Sequence, residues 1–298
     1  MPWSRILSAI VAIALAMGML LFGGIYFTLG FGVIVYLGLL EYFQLVRAKG
    51  IEPAAKTTIA LSEVLLVTAA LFPALVDPTF ALAGTIICFY LLFQPKFATI
   101  ADIAASILGL FYGGYLPSYW IRLRVGLDQP LALERQAIAT PIPLEQVISG
   151  PWVSHLSQGL TTTVLAFFCI WASDIGAYIV GKFFGRTRLS EISPKKTVEG
   201  SVFGILASIT VAIAGAWYLG WPAFPWTGLV LGSLIGTASL LGDLTESMMK
   251  RDAGVKDSGQ LIPGHGGILD RTDSYVFTAP LVYYFVTLLL PLLSQALN

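Results

Sequence analysis

The chain has 298 residues, of which 56% are hydrophobic and only 11% charged, with a mean hydropathy of +0.81. A soluble domain carries roughly 25% charged residues, so this composition excludes an ordinary water-soluble core and points to a polytopic membrane protein. Seventeen basic residues balance seventeen acidic ones, which leaves no general electrostatic footprint for nucleic acid, and no such partner is expected.

Taken in chain order, the apolar runs are 6–23, 25–46, 58–76, 79–94, 99–121, 159–181, 201–220, 226–248 and 274–295. A bilayer-spanning helix needs roughly 17–25 apolar residues. The expectation is therefore an all-α fold of about nine transmembrane helices. The Pro2–Gly23 stretch has Arg5 ahead of the first run and no convincing small-residue cleavage site after it, so the run reads as a retained span and not a signal peptide. Residues 1–121 hold almost no chemistry and read as an N-terminal membrane scaffold of about five helices. Residues 122–158, with Pro130, Pro141, Pro143, Pro151 and mixed charge, read as a polar external connection; His155 falls there without chemical neighbours. Residues 159–298 read as a C-terminal catalytic membrane region of about four helices. Cys88 and Cys169 lie in apolar runs and behave as small hydrophobes.

The Lys/Arg distribution orients this set. With the N-terminus cytoplasmic and the C-terminus outside, 14 of the 17 basic residues fall on the cytoplasmic side, and only Arg122, Arg124 and Arg135 fall outside. Both strongly charged loops, 182–200 and 249–273, then face the cytoplasm.

Four constellations carry chemistry. Asp174 and Tyr178 are i, i+4 on one helix face, and a carboxylate inside an apolar span is costly unless it faces a cavity or a partner. Lys182 continues that face to the membrane edge. Ser193-Pro194-Lys195-Lys196-Thr197, followed by Glu199 and Gly200, places adjacent cations before the seventh run. Ser201 or Thr197 can cap that helix, whose N-terminus favours an anion. Residues 242–251 bring Asp243, Glu246, Ser247, Lys250 and Arg251 to the end of the eighth run. Asp243 lies deepest there and suits a cation ligand better than a surface ion pair. Residues 262–273 hold Pro263, Gly264, His265, Gly266, Gly267, Asp270, Arg271 and Asp273. With Asp243, the two aspartates offer three carboxylates to Mg²⁺, a hard cation that prefers oxygen. His265, in a glycine-rich loop beside acids, is a candidate for substrate contact.

Together these residues resemble the CDP-diacylglycerol synthase (phosphatidate cytidylyltransferase) family. The resemblance rests on Ser247, Lys250, Arg251, Lys256, Asp257, Pro263, His265, Gly266, Gly267, Asp270, Arg271 and Asp273 at the family's spacing, with the 193–200 motif and the Asp174–Tyr178 pair upstream. It covers about residues 165–275. It implies the reaction CTP + phosphatidate → CDP-diacylglycerol + pyrophosphate, serving phospholipid biosynthesis. The expected catalytic residues are Asp243, Lys250, His265 and Asp270. The expected substrate contacts are Asp174, Ser193, Lys195, Lys196, Thr197, Ser247, Arg251, Lys256, Asp257, Gly266, Gly267 and Arg271. Asp243, Asp270 and Asp273 are the expected metal ligands, for Mg²⁺ and with a second cation allowed. The expected setting is the bilayer of the inner cell membrane, with the active site facing the cytoplasm. The resemblance also allows a homodimer, for which no residue argues. Two other readings share some features. A CTP-using lipid-alcohol kinase should not match this signature so fully. An ion-coupled carrier would place its charges near the membrane midplane, whereas here they cluster at one face.

Overall fold

The computed structural model describes residues 2–128, 157–261 and 266–297, without the side chains of residues 2–10, 12 and 297. Among the described residues the regular structure is helical: α1 (Pro2–Phe22), α2 (Gly24–Ala48), α3 (Ala55–Leu71), α4 (Val76–Leu92), α5 (Ile100–Gly109), α6 (Leu116–Arg124), α7 (Gln158–Phe184), α8 (Val198–Tyr218), α9 (Trp226–Asp252), α10 (Leu269–Val276), α11 (Thr278–Tyr284) and α12 (Leu290–Leu297). One-turn π-helical segments, Leu110–Tyr115 and Phe285–Leu289, link α5 to α6 and α11 to α12, so each group runs on as one long helix.

Seven of these helices, among the described residues, are long and apolar enough to cross a membrane. They are α2, α4 with its preceding turn, α5–α6, α7, α8, α9 and α10–α12. The expected runs 6–23 and 58–76 fall on α1 and α3; α3 has 17 residues. Most of the expected 122–158 connection lies outside the described residues.

The chain packs as two compact units that interleave along the sequence. The first contains α1 to α6 together with Met249–Thr272. Its core is aromatic and aliphatic: Phe27, Leu39, Tyr42 and Phe43 of α2, Leu65 and Leu66 of α3, and Tyr119 and Trp120 of α6 are all 3% exposed or less. Tyr42 satisfies its hydroxyl by donating to the Ala105 carbonyl at 2.9 Å. Thr99 and Asp102 form a reciprocal capping box that starts α5.

The second unit contains Thr161–Met248 and the chain from Asp273 onward. Here the sequence dictates close helix packing. Gly228, Gly232 and Gly236 recur every four residues along α9, and a Cβ at any of them would overlap the backbone of Ile213, Ile209 or Ile205 on α8. In lipid, where no hydrophobic force separates helix from solvent, such small-residue stripes let backbones approach and gain dispersion contact. Gly242 does the same one turn before the charged end of α9: its Cβ would overlap the Asp273 carbonyl. That approach brings Asp243 beside Asp273.

Candidate active site

In the second unit, the loop between α7 and α8 is a small built turn. An antiparallel bridge pairs Arg188 with Thr197, and the Lys196 N–H donates to the Ser193 carbonyl at 3.0 Å. Glu199, in the first turn of α8, accepts the Arg186 and Thr187 N–H groups at 3.1 Å and so ties down the far side of the loop. Thr197, not Ser201, is the N-cap of α8 and accepts the Gly200 N–H at 3.1 Å. This scaffold leaves Lys195 exposed and aims the Lys196 ammonium at Asp243 of α9, with which it pairs.

Asp243 also accepts the Ser247 hydroxyl at 3.3 Å. Asp174 of α7 accepts from Ser239 at 3.2 Å and from Ser274 at 3.5 Å. Asp273 is buried, with its carboxylate on the Ser274 N–H at 2.7 Å and within electrostatic reach of Asp174, Asp243 and Lys196. Three carboxylates thus face one ammonium. An oxygen-only donor group with negative charge in excess suits a hard divalent cation. The carboxylates are not drawn onto one point: among the described residues, no three His, Cys, Asp or Glu form a group that could hold a metal ion. Tyr178, expected on the Asp174 face, is exposed and sits under the Lys182 ammonium, 5.6 Å from its ring centre.

In the first unit, a second lysine–carboxylate pair forms: the Lys250 ammonium donates to Asp270 Oδ1 at 2.5 Å, with both side chains largely buried. Asp270 Oδ2 accepts three more hydrogen bonds, from the Ser258 N–H and hydroxyl at 3.0 Å and from the Gly267 N–H at 2.9 Å. Gly266 has φ +86°, a left-handed turn that suits glycine. These contacts show the Gly266–Gly267 turn holding Asp270. Arg251 donates to the Val255 carbonyl, just past its own helix, at 3.1 Å; Lys256, Asp257 and Arg271 are exposed. Pro263, Gly264 and His265 lie outside the described residues, so the expected role of His265 has no geometry here.

Sequence reasoning missed Glu41. This residue of α2 accepts hydrogen bonds from Ser258 Oγ, the Ile268 N–H and the Leu269 N–H. The signal was present: a lone acid inside the apolar run 25–46 is costly and calls for a partner. Ser239 of α9, Ser258 of the following loop and Ser274 of α10 were also missed, because a serine carries no pattern of its own.

The fold and these side chains define a polytopic, all-helical membrane protein that gathers lysine–carboxylate pairs at helix ends. A family model described as the Cytidylyltransferase family matches residues 3–289, and the chain belongs to that family. It is 63% identical to a phosphatidate cytidylyltransferase of Synechocystis sp., over 99% of this chain and all of the relative. It is 42% identical to phosphatidate cytidylyltransferase 4, chloroplastic, of Arabidopsis thaliana, over 93% of this chain and 71% of that protein. It is 32% identical to a phosphatidate cytidylyltransferase of Haemophilus influenzae, over 94% of this chain and 97% of the relative.

Proposed function

We propose that the chain transfers the cytidylyl group of CTP to phosphatidate, giving CDP-diacylglycerol and pyrophosphate. A phosphate oxygen of phosphatidate forms a new bond to the α-phosphorus of CTP, and the bond from that phosphorus to the β-phosphate oxygen breaks. Two anions must meet, so the reaction needs fixed positive charge. Lys195, Lys196, Lys250, Arg251, Lys256 and Arg271 supply it. The observation that carries the reading is the pairing of a lysine with a carboxylate in each motif segment: Lys196 with Asp243, and Lys250 with Asp270. An arriving phosphate gives the lysine a new partner, and the carboxylate it leaves can turn an oxygen toward a cation. Asp243 with Asp273, and Asp270, are the carboxylates we assign to Mg²⁺; two such groups accommodate a second cation. When bound there, Mg²⁺ would supply Lewis-acid stabilisation of the charge that develops as pyrophosphate leaves. Asp174, Ser193, Thr197, Ser247, Asp257, Gly266 and Gly267 complete the proposed substrate-binding set, and His265 is proposed as catalytic.

The reaction joins a two-chain lipid to a water-soluble nucleotide, so we place it at the headgroup level of the inner membrane, open to the cytoplasm. Nine spans, with the N-terminus inside, fit the concentration of basic residues in the two motif loops. Purified protein supplied with radiolabelled CTP should form lipid product only when phosphatidate and Mg²⁺ are both present. Transfer to a long-chain alcohol in place of phosphatidate, or no transfer at all, would overturn the reading.

A further inference from the structure

Glu41 is 2% exposed, on a helix with no other chemical role. A carboxylate taken out of water needs hydrogen-bond donors to offset its lost hydration. It finds three, all from one stretch of chain that lies more than 200 residues away in sequence. The Ile268 N–H donates to Oε1 at 3.1 Å; the Leu269 N–H and the Ser258 hydroxyl donate to Oε2, both at 2.9 Å. Ile268 and Leu269 stand at the start of α10, where helix N–H groups have no partner within the helix. Glu41 therefore caps α10 from another helix. Gly259 and Gly267 press on the same carboxylate, and a Cβ on either would overlap its oxygens.

The capped residues are those that hold Asp270. Ser258 donates its N–H to Asp270 and keeps its hydroxyl within 2.9 Å of Glu41 and 3.0 Å of Asp270. A hydroxyl has one hydrogen, which serves one of these carboxylates at a time. Gly267, against Glu41 on one side, donates its N–H to Asp270 on the other. Asp270 in turn holds Lys250. We propose that Glu41 is a positioning residue for the transfer reaction: it fixes the turn that aims Asp270 and Lys250, and it touches no substrate. This rests on the functional reading above. The packing of α2 does not depend on the carboxylate, because Phe27, Phe31, Leu39, Tyr42 and Phe43 of the same helix are buried independently of it.

Glu41→Gln keeps the size of the side chain but turns one acceptor oxygen into a donor that faces an N–H or hydroxyl donor. The full chain would be purified in detergent as wild type, Glu41→Gln, Ser258→Ala and the double variant. Each would be assayed for cytidylyl transfer, for thermal midpoint and for hydrogen exchange at residues 258–270. Glu41→Gln should lower kcat at least tenfold, change KM for CTP less than threefold and leave the midpoint within a few degrees. Exchange in the turn should quicken. Ser258→Ala should lower kcat less, and the double variant should be no more than about twofold worse than Glu41→Gln, because both act through one contact. Wild-type kcat and wild-type exchange in Glu41→Gln would overturn the proposal. If Glu41→Gln fails to fold, Ser258→Ala decides, and full kcat with unchanged exchange there is equally fatal. If wild type itself makes no lipid product, the functional reading fails instead, and the exchange comparison still judges the role of Glu41 in the turn.

Discussion

Lys196 and Lys250 each pair with a carboxylate, but the two pairs differ in how much water they keep. The Lys250 and Asp270 side chains are 11% and 10% exposed, against 24% and 32% for Lys196 and Asp243. Removing one partner of a buried pair costs about 3–5 kcal/mol, because it strands a charge; an exposed pair is worth about 0–1 kcal/mol. Lys250→Met should thus abolish turnover and also lower the thermal midpoint. Its cost should fall toward the lower end, since Asp270 retains the Ser258 and Gly267 donors. Lys196→Met should abolish turnover with little loss of stability. Equal midpoints for the two variants would show that burial does not separate the pairs. Asp243→Asn should likewise lose turnover and stay folded, because the amide oxygen can still accept from Ser247. Near-normal activity of that variant at low Mg²⁺ would remove Asp243 from the site. At Arg251 and Arg271, replacement by Lys keeps the charge but loses the planar fork, so it should still lower kcat/KM if the contact to phosphate is two-pronged. Unchanged kinetics in both would leave these arginines as ordinary cytoplasmic-side charges.

Helices α7, α8 and α9 were legible in the sequence because each is a long apolar run, yet all three extend beyond those runs into charged residues. The apolar run 226–248 becomes Trp226–Asp252, and 201–220 begins at Val198. Hydropathy ends a span where charge begins, whereas the backbone continues wherever a charge finds a partner, as Lys250 does in Asp270 and Glu199 does in the loop N–H groups. The N-cap was readable only as a choice between Thr197 and Ser201; loop geometry settles it on Thr197. The glycine stripe of α9 is written in the sequence as a glycine every fourth residue, but hydropathy counts glycine as neutral and says nothing about what lies opposite. That stripe makes a sharp prediction. Gly232→Ala puts a methyl group into the backbone of Ile209, and overpacking of this kind costs about 1–3 kcal/mol. The same change at Gly18, where a Cβ meets nothing within 4 Å, should be neutral or slightly stabilising, as alanine is the better helix former. Thermal unfolding of both variants in detergent checks the contrast, and a neutral Gly232→Ala would mean that the two helices can part without cost.

Across the whole chain, one ion pair bears on which helices cross. Lys49, just past α2, lies 3.1 Å from Asp252 at the end of α9, within one packing unit. Helix ends that touch share a membrane face, so the chain must cross an even number of times between them. Five of the long apolar helices intervene: α4, α5–α6, α7, α8 and α9. Five is odd, so we predict that α3 supplies the sixth crossing. At 17 residues and about 1.5 Å per residue, α3 is about 25 Å long, close to a hydrocarbon core of about 30 Å. The apolar run 58–76 marks α3 in the sequence despite Ser62 and Glu63, and Thr58 and Ser62 are buried. Cysteine labelling tests the parity directly. In a chain freed of its exposed Cys88, single cysteines at Lys56, Leu75 and Arg188, all of them exposed, would be probed with a membrane-impermeant maleimide in right-side-out and inverted vesicles. Lys56→Cys and Arg188→Cys should label from the cytoplasmic side and Leu75→Cys from the other. Labelling of 56 and 75 from the same side would mean that α3 does not cross, and the Lys49–Asp252 pair could not then form in the membrane.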